Sequence, residues 1–299
     1  MTASADPRPV SDPALFMDRA IAALAAQALS PVPDAAGLLP LYFADGLLEA
    51  LEWAHDGVAS DEAACLWLAG LRWYRLATGA FPDGAPEPRP RWIDALLEGT
   101  PVRIGPASES LTAGLGHEAM GTAARPHDAS ADSPAVLAPA AVSAFLPHVT
   151  PSTAARFAAD ASRLTHGSPS AAAAAASAAE LLARALTGGP GALESGLDPA
   201  AAAAEAGAGP AHDALHEARA AAAAGCSAFD AGRGAVGAWD AVREACAHGE
   251  TDPGTTAMAR MLLGGALGTA ALPDGWEARL PAAAALREWA RRWSRLVFA

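Results

Sequence analysis

The sequence contains no lysine and no asparagine, so all 20 of its basic residues are arginines. Beside the alanine-rich runs, these absences are typical of a GC-rich genome, and part of the composition therefore reflects codon usage. The 33 acidic residues outnumber the arginines and give a formal net charge of −13. A surface this acidic repels the phosphate backbone of nucleic acids and anionic membranes, so neither is predicted as a partner.

The chain also lacks any run of about 18 apolar residues, which excludes a transmembrane helix. Residues 1–13 are polar and proline-rich and have no basic region followed by an apolar one. No signal peptide is therefore predicted, and this segment is expected to be a disordered tail. The 3 cysteines are odd in number and widely spaced, so they fit neither a disulfide framework nor a zinc site. They predict reduced thiols in a cytoplasmic protein.

Valine and isoleucine are scarce, and no segment shows the alternating pattern of a strand. Apolar residues instead recur at helical spacing, over residues 14–29, 38–53, 61–78, 139–146, 153–164, 168–186, 212–224, 235–247, 255–267 and 280–297. Loops rich in proline and glycine are predicted over 81–90, 105–134 and 188–199, and the low-complexity stretch 198–209 is expected to be flexible. We therefore predict an all-α protein with a single compact multi-helical domain over 14–299.

Some positions in or beside the predicted helices can be interpreted individually. In the segment 38–53, Asp45, Glu49 and Glu52 are the polar positions of an otherwise apolar helix. His166 lies where one predicted helix ends and the next begins, and we expect it to cap backbone carbonyls rather than to donate to a ligand. The glycine pair 264–265 lies inside a predicted helix and indicates close helix packing rather than a phosphate cradle.

Two carboxylates, Glu250 and Asp252, lie beside hydroxyl side chains at the start of a predicted helix. Oxygen ligands at this spacing can hold Mg²⁺. Aspartate and threonine are also the preferred N-capping residues of helices, and taken alone the segment fits a capping role better.

Several tracts, taken in order along the chain, resemble the ADP-ribosylglycohydrolase family, which includes the dinitrogenase-reductase-activating glycohydrolases. These tracts are residues 18–20, 41–50, 66–79, 120–122, 164–167, 248–249 and 262–273. The resemblance implies an all-α fold with two Mg²⁺ ions, held by aspartates and hydroxyls of two motifs. In the family these ions bind the ribose hydroxyls and activate water, which cleaves the bond between ADP-ribose and the modified group.

Both metal-binding motifs of the family are altered in this sequence. The Thr-Asp-Asp-Thr motif falls on residues 34–37, where Ala35 and Ala36 replace both aspartates. The Gly-Asp-(Ser/Thr)-Asp-(Ser/Thr) motif falls on residues 250–255, and its aspartates become Thr251 and Pro253. An alanine methyl group cannot coordinate a hard cation that requires oxygen ligands.

Two loops of the family are altered as well. The early glycine-containing loop is missing, because only residues 30–33 separate the first predicted helix from Asp34. The substrate loop falls near residues 132–137, without its glycines and its arginine. Loss of the metal ions removes both the Lewis acid and the source of hydroxide, so catalysis by the family's mechanism is not expected.

These departures predict a catalytically degenerate member of the family that has no metal cofactor. It would bind an unknown protein partner or an ADP-ribose-like ligand. The alternative is an active hydrolase of an ADP-ribosyl or other N-glycosidic bond, with a rebuilt site in which Asp34, Glu250 and Asp252 hold one ion or act as acid and base. His248 and Thr255, whose hydroxyl is the one that survives from the second motif, complete the candidate residues of this altered cleft.

A third hypothesis places the function in assembly, through the acidic surface or the last predicted helix. That helix carries an apolar stripe of Leu286, Trp289, Trp293 and Leu296 beside several arginines. Such a stripe can dock a partner or a membrane surface. Packing of a terminal helix on its own core explains it better.

Overall fold

A computed structural model of the protein describes residues 10–194, 208–247 and 252–298. In these ranges the fold is built from helices without a β-strand, so the all-α prediction is confirmed. The α-helices are α1 (Pro13–Gln27), α2 (Leu39–His55), α3 (Glu62–Thr78), α4 (Trp92–Leu97), α5 (Pro106–Leu115), α6 (Leu137–Ala140), α7 (Pro151–Ser162), α8 (Pro169–Gly188), α9 (Gly191–Glu194), α10 (Pro210–Ala228), α11 (Gly234–Ala245), α12 (Pro253–Leu267), α13 (Trp276–Arg279) and α14 (Ala283–Val297). Shorter helical turns cover Ala35–Leu38, Pro134–Val136, Ala141–Phe145, Phe229–Arg233 and Gly268–Ala271.

Proline in the first turn and polar N-caps fix where many of these helices begin. Helices α1, α8 and α12 each start with proline. Proline lacks an N–H group, but N–H groups in the first turn have no acceptor within the helix, so no hydrogen bond is lost. The preceding Asp12, Ser168 and Asp252 accept hydrogen bonds from backbone N–H groups of that turn. At the other end, Gly79 and Gly268 stop α3 and α12 with positive φ angles of 90° and 72°, which side chains disfavour.

The core forms around α12. Helices α1, α8 and α10 all pack against it, α7 packs against α8, and α2 packs against α3. A β-carbon on Gly264 of α12 would lie 2.6 Å from the carbonyl carbon and oxygen of Ala22 in α1. The predicted close packing at this glycine pair is therefore confirmed, since small side chains at a contact set how near two helices approach.

The last helix belongs to this core. Trp289 and Trp293 of α14 are 0% exposed, and their rings lie 5.2 Å apart. The indole N–H of Trp289 donates to the carbonyl of Ala44 in α2, at 3.2 Å. The prediction that the apolar stripe packs on the chain's own core is confirmed.

Four α-helices were not predicted: α4, α5, α9, which lies in the predicted loop over 188–199, and α13, which precedes the predicted helix over 280–297. Helix α5 lies inside the segment 105–134 that the sequence indicates as a loop, and α4 follows the loop over 81–90. Helix α5 begins at Pro106 and ends before Gly116. Proline in the first turn and glycine at the end delimit a short helix as readily as they fill a loop, and composition does not separate the two cases.

Some predictions concern residues that the structure does not describe. Residues 1–9 of the predicted tail and residues 198–207 of the predicted flexible stretch lie outside the described residues. The domain limits of 14–299 therefore stay a prediction. In the described ranges, no helix has the length and apolarity needed to cross a bilayer.

Candidate functional site

A cleft of about 350 Å³ lies where the two altered motifs meet. Ala36 and Gly37 line it from the first motif, and Pro253 and Gly254 line it from the start of α12. Gln27, the last residue of α1, also lines this cleft. Its volume is within the range of small-molecule sites.

Asp34 contributes the carboxylate of the first motif, immediately before the helical turn Ala35–Leu38. Its Oδ1 accepts a hydrogen bond from the backbone N–H of Ala36 at 3.0 Å and another from the hydroxyl of Ser108, which is fully buried on α5. Asp34 therefore lines the cleft, and it is also an N-cap whose carboxylate is already engaged.

The second motif is placed by the first turn of α12. Asp252 caps this helix, with its Oδ1 accepting from the N–H of Gly254 at 2.7 Å, and it is not among the residues that line the cleft. Thr255 is 1% exposed, whereas Thr256 lines the cleft. A β-carbon on Gly254 would lie 2.4 Å from the carbonyl carbon of Pro134, so no side chain fits at that position of the motif.

The residues of this cleft do not fit the pair of Mg²⁺ ions that the family resemblance implies. Asp34 is the one carboxylate among the described residues that line the cleft, and the next two positions carry methyl groups. Hard divalent cations require several oxygen ligands. In the described part of the chain, no three His, Cys, Asp or Glu side chains are grouped closely enough to hold a metal ion. His248 and Glu250 lie outside the described residues, so their positions relative to the cleft stay predictions.

The motifs miss two arginines that line the same cleft, Arg103 and Arg260. Arg260 is the one charged residue of α12, in a helix otherwise made of apolar and small side chains. This isolation is a signal available in the sequence, because a charged residue in a buried helix is normally paired or faces solvent. Arg103 lies in an irregular segment before α5 and carries no such signal.

A separate cluster of charges is buried between α2, α3 and the start of α4. Asp45 is 0% exposed and accepts two hydrogen bonds from Arg91, at 2.8 and 2.9 Å. Arg72 of α3 lies 3.4 Å from Asp45 and 3.3 Å from Glu49. The polar positions of α2 therefore face two guanidinium groups, and buried Asp45 depends on them.

Burial changes the ionisation of several groups in this cluster. It raises the pKa of the Asp94 carboxyl and the pKa of the Tyr42 hydroxyl. Burial alone would lower the pKa of Arg91, but its hydrogen bonds to Asp45 and the nearby Glu49 raise it. The guanidinium of Arg91 therefore stays charged opposite Asp45, and the cluster has a structural role.

His166 does not make the carbonyl-capping hydrogen bonds predicted for it. It is 1% exposed, with Nδ1 2.8 Å from the Thr165 hydroxyl and Nε2 3.0 Å from the Ser110 hydroxyl. The Thr165 hydroxyl donates to the carbonyl of Ser162 at 3.3 Å, so it accepts from Nδ1–H, and Nε2 accepts from Ser110. Burial lowers the pKa of His166 to about 4, so the ring is neutral near pH 7.

We expect this histidine to weaken the fold as the pH falls from about 6.5 towards about 4. A ring whose pKa is lowered in the folded state takes up its proton more readily in the unfolded chain, so acid favours unfolding. With a folded-state pKa of about 4, this contribution reaches about 2–3 kcal/mol near pH 4.5. Denaturant unfolding of wild-type protein and His166→Gln, near pH 7 and near pH 4.5, measures it.

The stability lost between these two pH values should be smaller in His166→Gln by that amount. The exposed His55 provides the matched control, because His55→Gln should lose as much stability on acidification as the wild type. An equal loss in His166→Gln and wild-type protein would show that His166 does not set this pH dependence.

Comparison with known proteins identifies the fold that surrounds the cleft. The family model for ADP-ribosylglycohydrolase matches residues 16–298, from α1 to the end of α14. No curated protein sequence matches the chain significantly. The matched range includes both motif tracts and the whole of the cleft described above. The chain belongs to the ADP-ribosylglycohydrolase family.

Proposed function

We propose that this protein is a non-catalytic binding member of its family, which holds an ADP-ribose-like ligand in the cleft without hydrolysing it. The observation that carries the proposal is the chemistry of the cleft wall. Ala36 presents a methyl group where the family motif has an aspartate, and Gly254 has no room for a side chain at all. Among the described residues, no set of oxygen ligands is grouped there to hold a metal ion that would activate water.

The retained scaffold supports binding rather than loss of all function. The cleft has about 350 Å³ of space, and residues from four separate parts of the chain line it. Asp34 is held by two hydrogen bonds, which orients its carboxylate towards a fixed position. We further propose that the protein acts in the cytoplasm, because its 3 cysteines are odd in number and widely spaced, which does not fit the disulfide framework of a secreted protein.

The first test is calorimetric titration of ADP-ribose into the purified protein, with EDTA and with millimolar Mg²⁺. We expect the same affinity in both buffers, because no metal ion takes part in binding. Incubation with an ADP-ribosylated peptide under the same two conditions should release no free ADP-ribose.

Asp34→Asn separates this proposal from an active enzyme with a rebuilt site. Asparagine keeps an acceptor for the N–H of Ala36, so the cap is retained while the charge is lost. Mg²⁺-dependent affinity or release of ADP-ribose, abolished in Asp34→Asn, would show that the rebuilt enzyme is the correct function. Absence of heat in both buffers would reject ADP-ribose as the ligand of the cleft.

A further inference from the structure

The charge inside the cleft is opposite in sign to that of the chain as a whole. Among the described residues that line it, the charged side chains are two guanidinium groups, Arg103 and Arg260, and one carboxylate, Asp34. The net charge of the lining is therefore positive, on a chain whose formal net charge is −13. A positive cleft in an acidic surface concentrates small anions at that point.

Arg260 projects from α12 and is only partly exposed. Its guanidinium lies 5.0 Å from the ring centroid of Trp239 of α11, in a cation–π arrangement. No carboxylate of the described residues lies within 4.0 Å of it. Burial lowers the pKa of Arg260, which reflects the cost of a charge that has lost water and gained no counterion among these residues.

Arg103 is positioned by its backbone. Its N–H donates to the carbonyl of Pro33 at 2.9 Å, and its carbonyl accepts from the N–H of Ala35 at 2.9 Å. These two bonds tie the segment before α5 to both sides of Asp34 in the first motif. The exposed side chain of Arg103 lines the cleft and makes no ion pair with a described residue.

Gln27 adds a polar atom that lacks a partner. Its side-chain amide N–H donates to the carbonyl of Ala23 at 3.1 Å, while its Oε1 is buried and has no hydrogen bond among the described residues. A buried acceptor without a donor destabilises the protein unless a bound molecule supplies the donor. The cleft therefore offers two cationic groups, and the oxygen of Gln27 in its wall is shielded from solvent.

We propose that this cleft binds a phosphoryl or pyrophosphoryl group through Arg103 and Arg260, in place of metal-mediated recognition. The inference rests on the proposed function, because it requires a cleft that works without a cation. Guanidinium groups suit this task, since their planar N–H donors match the oxygens of a phosphate.

The test is titration of inorganic pyrophosphate into the protein in the presence of EDTA, followed by competition with ADP-ribose. We expect pyrophosphate to bind without metal and to compete with ADP-ribose. Arg260→Gln and Arg103→Gln should each weaken binding by about tenfold or more, as expected for loss of a charge-assisted hydrogen bond. Arg260→Lys should recover part of the affinity, because it restores the charge but not the planar donors.

Arg125→Gln is the matched control, because Arg125 is exposed and does not line the cleft. It removes the same charge from the chain and should leave the affinity unchanged. Thermal unfolding of each variant checks that the fold is intact, and Arg260→Gln should unfold no earlier than the wild type. Affinity should also fall as salt is added.

Three results would overturn the inference, and they differ from failure of the proposed function. The first is the absence of pyrophosphate binding by the wild type in EDTA. The second is equal affinity in wild type, Arg103→Gln and Arg260→Gln. The third is affinity lost to the same extent in Arg125→Gln. Metal-free ADP-ribose binding could persist in each case, whereas turnover or a requirement for Mg²⁺ would reject the proposed function itself.

Discussion

Asp45→Ala is expected to lower the free energy of unfolding by about 3–5 kcal/mol, because it removes the one fully buried carboxylate that faces the guanidinium groups of Arg72 and Arg91. Asp45 is 0% exposed and accepts hydrogen bonds from Arg91 at 2.8 and 2.9 Å. Arg72, 4% exposed, lies 3.4 Å from the same carboxylate. The penalty arises because both arginines then keep only longer or more exposed ion pairs, with Glu49, Glu52 and Asp94, in a poorly hydrated environment.

Asp240→Ala is the matched control for this measurement. Asp240 pairs with Arg243 at 2.8 Å, the same distance as the Arg91–Asp45 contact, but their side chains are 37% and 71% exposed. Solvent screening makes such a pair worth about 0–1 kcal/mol, so its loss should be small. Denaturant unfolding of both variants compares the loss of a buried carboxylate with the loss of an exposed one whose closest ion pair has the same length. Equal stability changes would show that burial does not determine the contribution of Asp45.

Much of the helical architecture could be predicted from the sequence, because local chemistry determines where helices begin and end. The start of α8 is an example, since Ser168 caps the helix and Pro169 follows it. The close packing at Gly264 also follows from the sequence, as a glycine inside an apolar helix has few other uses. Helix α5 could not be predicted, because its two ends have the composition of a loop.

The candidate site was less predictable, because the residues that line it come from segments far apart along the chain. The family motifs locate Ala36 and Gly254, and both line the cleft. Arg103 comes from a separate segment, and only tertiary packing brings it beside α12. The periodicity of α2 also predicts that Asp45 and its polar neighbours share one face of the helix. It does not predict that Arg72 and Arg91 pair with Asp45. Contacts between distant segments leave no local pattern in one sequence.

The burial of the last helix argues against the hypothesis that its apolar stripe serves in assembly. Because Trp289 and Trp293 are fully buried in the chain's own core, they are not available as a docking surface while α14 stays in place. Helix α14 also touches the charge cluster, since the Arg292 guanidinium lies 5.3 Å from the Trp92 ring centroid and 4.0 Å from Glu52. Arg292 thus links α14 to Glu52 and Trp92 at the edge of the cluster.

Trp289→Ala is therefore expected to cost about 3–5 kcal/mol, the range for removing a fully buried tryptophan. The substitution leaves a cavity beside Phe145, whose ring centroid lies 5.6 Å away, and leaves the carbonyl of Ala44 without its indole donor. Trp53, 48% exposed, is the matched control, and Trp53→Ala should change stability by about 0.5 kcal/mol or less. Denaturant unfolding measures both variants. A Trp289→Ala protein as stable as Trp53→Ala would mean that α14 is dispensable to the core, and the helix would then be free to bind a partner.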